Sequence, residues 1–152
     1  MEKQPNLLLT ILTFAGTPLA FPLIEVVSIQ QVKQATIPNQ ALPYLLGTIQ
    51  HAKRNWPIFS LNQDLTVVTQ IPATYPYLVC FSSPNTQTGL CLSCETISSL
   101  ILTTPIQFIP DYAKLASSPL QQWCYHNQTL LALTNTTAIA LYISHEIERH
   151  SS

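Results

Sequence analysis

The sequence predicts a mainly β fold with one terminal helix. Three observations predict it. Twelve prolines stand against three glycines in 152 residues, a proportion that cuts a chain into many short strands. The apolar residues fall in short runs bounded by turn formers, the length of buried strands and too short for stable helices. A single stretch near the C-terminus carries apolar residues at helical spacing.

Taken in order, residues 7–14 (LLLTILTF) read as a buried strand. Ala15-Gly16-Thr17-Pro18 makes the turn, and residues 19–29 (LAFPLIEVVSI) form a second strand that bends at Pro22, where a ladder hydrogen bond is impossible. The uncharged span from Leu7 to Ile24 raises two other possibilities, a leader peptide and a membrane helix. Glu2 cancels Lys3 where a leader needs a positive start, and Pro18 and Pro22 would break a spanning helix. Two buried strands are the expectation, with no membrane insertion.

Gln30 to Ala35 is polar and reads as loop. In the next stretch, Asn39 is placed to cap a helical turn around Leu42 to Leu46, and Gly47 to end it in the left-handed conformation. A hairpin follows: a strand over 48–51, a basic tip at Lys53-Arg54-Asn55, and a return from Trp56 to Leu61. The second half repeats the style. Residues 77–81 (YLVCF) pair with 89–94, and Glu95 to Ile101 is either a strand extension or a helical turn. Residues 122–125 and 129–133 flank a tip at His126-Asn127-Gln128. Thr136 to Arg149, with Ile139, Tyr142, Ile143 and Ile147 on one face, predicts an amphipathic helix. The segment 55–61 (NWPIFSL) faintly echoes 127–133 (NQTLLAL), as two lobes built alike would require.

Composition excludes several functions. The chain is 47% hydrophobic and 9% charged with a net charge of −1, so it lacks the basic footprint of a nucleic-acid binder. So apolar a surface should carry patches that prefer a partner to water. His51, His126, His145 and His150 form no metal-protease pair, the seven acidic residues are scattered, and no nucleophile elbow, phosphate loop or dinucleotide fingerprint occurs. No enzyme and no cofactor are expected. Cys80, Cys91, Cys94 and Cys124 read as free buried thiols of a reducing cytoplasm. Cys91 and Cys94 have a chelating spacing, but residues three apart on a strand point to opposite faces. A metal- or small-molecule-binding module using these cysteines is therefore the alternative reading, beside a domain that only self-associates.

The stretch from Ile37 to Leu61 resembles the hallmark region of CheW-like domains, the adaptors that couple chemoreceptors to histidine kinases. That family reads I-P-N, a short turn, then G-V-I-N-L-R-G-x-V-V-P-V-I-D-L. Ile37, Pro38, Asn39, Gly47, Ile49, Pro57, Ile58 and Leu61 fall at matching spacing. The strand from Glu25 to Ile29 resembles the family's V-x-E-I segment, and the likeness extends over residues 7 to 147. It implies a single domain over 1–152, built as two SH3-like five-stranded β-barrel lobes sharing a hydrophobic core. The lobes would span about 19–65 and 75–135, with strand 7–14 and helix 136–149 packing across.

The same resemblance implies a cytoplasmic, non-catalytic adaptor in chemotaxis or type IV pilus (twitching) signalling. Its partners would be the regulatory domain of a CheA-type histidine kinase and a chemoreceptor tip. The positions that would carry contacts are Val26, Ser28, Gly47, Ala52, Lys53 and Arg54. Here the chain departs from the pattern. The family's arginine and following glycine fall on Ala52 and Lys53, and its glutamate falls on Ser28. Alanine cannot replace the multi-donor fork of an arginine, so a divergent or accessory member is implied.

Overall fold

A computed structural model describes residues 7–38, 43–84, 89–102, 107–108, 122–126 and 129–150. Eleven strands and one helix are seen among them: β1 (Leu7–Phe14), β2 (Thr17–Pro22), β3 (Val26–Gln31), β4 (Gly47–His51), β5 (Arg54–Ser60), β6 (Tyr77–Ser82), β7 (Gly89–Cys94), β8 (Thr96–Leu102), β9 (Gln107–Phe108), β10 (Gln122–His126), β11 (Thr129–Leu133) and α1 (Thr136–His150). They form two sheets, one ordered β3-β6-β7-β5-β4 and one ordered β8-β1-β2-β11-β10-β9.

The two sheets repeat one plan. In each, an edge strand (β3 or β8) pairs antiparallel with the first strand of a hairpin, β6–β7 or β1–β2. The second hairpin strand then pairs in parallel with β5 or β11, which itself pairs antiparallel with β4 or β10. β5 and β11, which hold the described parts of the echoing segments 55–61 and 127–133, therefore occupy equivalent places. Sheet membership differs from the expected partition at 65–75. β6 and β7 join β3 to β5, while the N-terminal hairpin completes the sheet of β8 to β11.

Three apolar clusters explain the layers. Leu46, Ile49, Trp56, Ile58, Leu78, Cys80 and Cys91 fill the inner face of the first sheet. Leu9, Ala20, Leu131 and Leu133 do the same for the second. The largest cluster lies between them, with Leu12, Phe14, Leu19 and Phe21 from one sheet, Val79, Phe81, Leu90 and Leu92 from the other, and Ile139, Tyr142 and Ile143 from α1. Phe21 stacks on Phe81 across it, with ring centroids 4.2 Å apart. β6 and β7 therefore bury both faces, and their continuous apolar runs YLVCF and GLCLSC follow from that.

α1 forms as its spacing predicts, with Ile139, Tyr142 and Ile143 buried and Ile147 packed on the shared core. Two carboxamide and carboxylate oxygens satisfy its first N–H groups. Asn135 Oδ1 accepts from the Ala138 N–H at 2.8 Å, and Glu25 Oε1 accepts from the Thr136 N–H at 2.7 Å. Glu95 to Ile101, ambiguous in sequence, is strand: β8 opens at Thr96.

Several local expectations are corrected. The strand expected over 19–29 does not bend but breaks, because Pro22 ends β2 and a 3-10 turn over Leu23–Glu25 precedes β3. The polar segment 30–35 is strand to Gln31, then a 3-10 turn over Val32–Gln34. Gly47 is not a helix stop: it opens β4, and Tyr44 takes the positive φ of 69° instead. A Cβ on Gly47 would lie 2.7 Å from the Thr36 carbonyl oxygen, so the close approach of that backbone explains the glycine. The cap at Asn39 and the tip residues Asn127 and Gln128 lie outside the described residues.

The thiols are corrected too. Cys80 and Cys91 are directly opposed on β6 and β7, with Cα atoms 4.2 Å apart, and are joined as a disulfide. Cys94 is free and buried.

Candidate partner-binding surface

β3 is an edge strand, and strand alternation divides its side chains between core and solvent. Val26 turns inward and packs against the shared core. Ser28 is half-buried, its Oγ accepting from Gln30 Nε2 at 3.1 Å. Val27 and Ile29 point outward. The register shifts between Val26 and Ser28, so Val27 is the extra residue of a β-bulge and is pushed away from the sheet.

Outward residues on and beside β3 make an apolar ridge. Leu23, Ile24, Val27, Ile29 and Tyr77 hold five of the nine exposed large hydrophobic side chains among the described residues. Ile24 is 81% exposed and Ile29 55%, which a lone surface residue could show but a cluster does not without reason. Ile29 and Tyr77 stand between two hollows. One, of about 540 Å³, is walled by Pro76, Glu95 and Ile97; the other, of about 450 Å³, by Gln31, Lys33 and Gln34. A further hollow of about 530 Å³ continues the surface from Tyr77 along Ile71 to Ile37. β6, buried from Leu78 to Phe81, pairs along the whole of β3 and ties the ridge to the core.

The hairpin tip lies elsewhere. Ala52 and Lys53 are its two central residues, with φ of 52° and 65°, and β5 begins at Arg54, earlier than the expected return at Trp56. The Arg54 guanidinium sits 5.2 Å over the Trp56 ring, and Trp56 Nε1 donates to the His51 carbonyl at 3.1 Å. Lys53 and Arg54 are exposed, whereas Gly47, on the same strand pair, is buried. β3 and β4 are the outermost strands of their sheet, and the chain that follows β3 curls back to bridge β4 at Thr36 and Thr48. Val26 and Ser28 thus stand on a different edge strand from the tip that carries Ala52, Lys53 and Arg54. The sequence-predicted positions flank the ridge or lie on the β4–β5 hairpin. Ile24, Val27, Ile29 and Tyr77 were missed. The alternation of Val27 and Ile29 with Ser28 and Gln30 was the available signal, but only the pairing of β3 with β6 tells which set faces solvent.

The three cysteines whose side chains are described do not assemble a ligand set; the side chain of Cys124 lies outside the described residues. Cys80 and Cys91 are bonded to each other on the inner face, and Cys94 points into the shared core on the opposite one. Burial pushes the Cys94 thiol up to about 12, far from the thiolate that a metal or an oxidant needs. Among the described residues no three metal-ligating side chains cluster, and no helix is long and apolar enough to cross a membrane.

The sequence matches no protein-family model and no curated protein. The structure is similar to solved ones, among them the crystal structure of the scaffolding protein TtCheW from Thermoanaerobacter tengcongensis, at a TM-score of 0.67 and 8% identity, over 86% of this chain and 89% of that one. The fold is CheW-like. Two SH3-like lobes around a common core, as the sequence led us to expect, are therefore its architecture. In a CheW-like frame the β3 ridge occupies the edge of one lobe and β8 the matching edge of the other.

Proposed function

We propose that this chain is a non-catalytic signalling adaptor whose partner docks on the β3 ridge. The observation that carries the reading is the clustering of Ile24, Val27, Ile29 and Tyr77 on a sheet edge tied to the core. The scaffolding role in the name of the CheW-like neighbour supports it. The occupant in this reading is the regulatory domain of a CheA-type histidine kinase, in the cytoplasm, with a chemoreceptor-like helix as a second partner. Ile29 and Tyr77 act as the anchors, filling apolar depressions in the partner while the flanking glutamines form a polar rim. Lys53 and Arg54 offer a separate cationic contact at the hairpin tip. Val26 and Ser28 hold the ridge in place, and Gly47 and Ala52 shape the hairpin rather than touch the partner.

Titration of a CheA-type regulatory domain against the purified chain tests this. Ile29→Asp should weaken binding at least about tenfold, because it places a charge at the centre of an apolar contact. Its urea midpoint should stay within error of the parent, since Ile29 is exposed. No binding at about 100 µM, or equal binding by the variant, would sink the assignment.

A further inference from the structure

The described residues present four sheet edges, and they are not equally open. The outer edge of β4 is taken by Thr36, whose N–H and carbonyl bond Thr48 at 2.8 and 2.9 Å. β3 is broken by the Val27 bulge and stopped at both ends by 3-10 turns, features that blunt an edge against strand addition. β9 has two residues. β8 is different. It runs for seven residues, TISSLIL, and its register with β1 continues unbroken from Leu7↔Leu102 to Thr13↔Thr96. It contains no charge and no proline, the residues that ordinarily guard an edge, and among the described residues no strand pairs with its outer side. β1 behind it is equally uncharged.

Beside this edge lie two exposed apolar side chains that the β3 ridge does not account for. Leu8 and Ile101 are register partners on β1 and β8, 46% and 58% exposed. They share the strand face that buries Leu12 and Ile97 further along, so the shared core emerges here into solvent.

We propose that β8 is the seam of a twofold homodimer, pairing antiparallel with β8 of a second copy about Ser99. A second copy fits this edge because pairing about Ser99 uses all seven residues of both strands. Thr96 meets Leu102, Ile97 meets Ile101, and Ser99 meets its own mate. An uncharged strand meets no repulsion from its copy, and a charged partner strand would leave its ions unanswered. The pairing extends the β8-to-β9 sheet across the joint and sets Ile97 of the mate beside each exposed Ile101, which already has Leu8 on its other side. It leaves β3 itself unpaired, although Thr96 and Ile97 at one end of the seam also wall the hollow beside Ile29 and Tyr77.

Sedimentation equilibrium on the full chain tests the seam. A joint of one strand pair is short, so a dissociation constant of about 10–100 µM is expected. Ser99→Lys and Ser99→Glu each place like charges directly opposite and should raise that constant at least about tenfold. Mixing the two variants should restore a heterodimer, which a surface elsewhere would not do. Circular dichroism checks that the variants fold; should Ser99→Lys fail that check, Ser98→Lys, also exposed, takes its place, setting its charge opposite Leu100 of the mate and diagonal to the mate's own lysine, and should likewise weaken the dimer. A parent chain monomeric at about 0.5 mM, a dimer indifferent to the lysine, or a charge-swapped mixture that stays monomeric overturns the proposal. Ser99 lines none of the hollows beside Ile29 and Tyr77, so kinase-domain binding by Ser99→Lys, measured in parallel on the monomer, should match the parent, and the seam and the ridge are read separately.

Discussion

Single side chains set how this protein responds to alkali. The buried Cys94 thiol is raised to about 12 from a usual value near 9, chiefly by burial. The folded form thus holds that proton more tightly than the unfolded chain, so the stability it supplies is complete below about pH 9 and drains away as pH climbs toward 12. Burial raises Tyr75 and Tyr142 also, with the same sign and a higher onset. Between about pH 8.5 and 10 the urea midpoint of the parent should therefore fall more steeply than that of Cys94→Ala, whatever the variant's baseline. Equal slopes would show that the thiol is not sealed. Residue identity alone announced that Cys94 is buried, but not that Cys80 and Cys91 would be bonded. Their pairing depends on the β6–β7 register, which a hairpin sets through its loop and which no count of cysteines reveals.

Elements carry a different kind of information. The hairpin β4–β5 was legible from the polar basic tip between its two strand segments, and its tip position was off because a two-residue turn needs positive φ at both central residues. Ala52 and Lys53 take that conformation without glycine's freedom, at a cost of about 1 kcal/mol each. Lys53→Gly should relieve part of it and raise the melting temperature by about 2–4 °C, measured by scanning calorimetry. An unchanged or lower value would show that Lys53 gains a compensating contact. Helix α1 was wholly legible, because its 3.6-residue period and its apolar face depend on nothing distant. Gly47 was misread for the opposite reason. Its neighbour is the Thr36 carbonyl, brought up by a bridge between Thr36 and Thr48 that local chemistry does not encode.

The whole molecule should unfold as one unit, since its largest cluster draws on both sheets and on α1. Trp56 belongs to one lobe and Trp123 to the other. Their fluorescence and the far-ultraviolet circular dichroism should trace a single urea transition. Ile139→Ala, which opens a hole where both lobes meet the helix, should shift that transition by about 2–5 kcal/mol without splitting it. Two separated transitions would mean that each lobe stands on its own small core. From sequence, two alike lobes and a helix across them were within reach. The interleaving was not, because each parallel pairing joins segments that periodicity treats as unrelated.

That interleaving bears on how the chain is made. β3 to β7 form a contiguous run and can close as soon as residue 94 is available. The β1–β2 hairpin is synthesised before its partners: Leu19 and Ala20 of β2 wait for Ala132 and Leu133 of β11, far later in the sequence. Until those later segments are made, the apolar strand LLLTILTF has neither β8 nor α1 to cover it. Such long-range closure makes for slow folding and a sticky nascent chain. The cell must shield β1 and β2 until β8, β11 and α1 have been made.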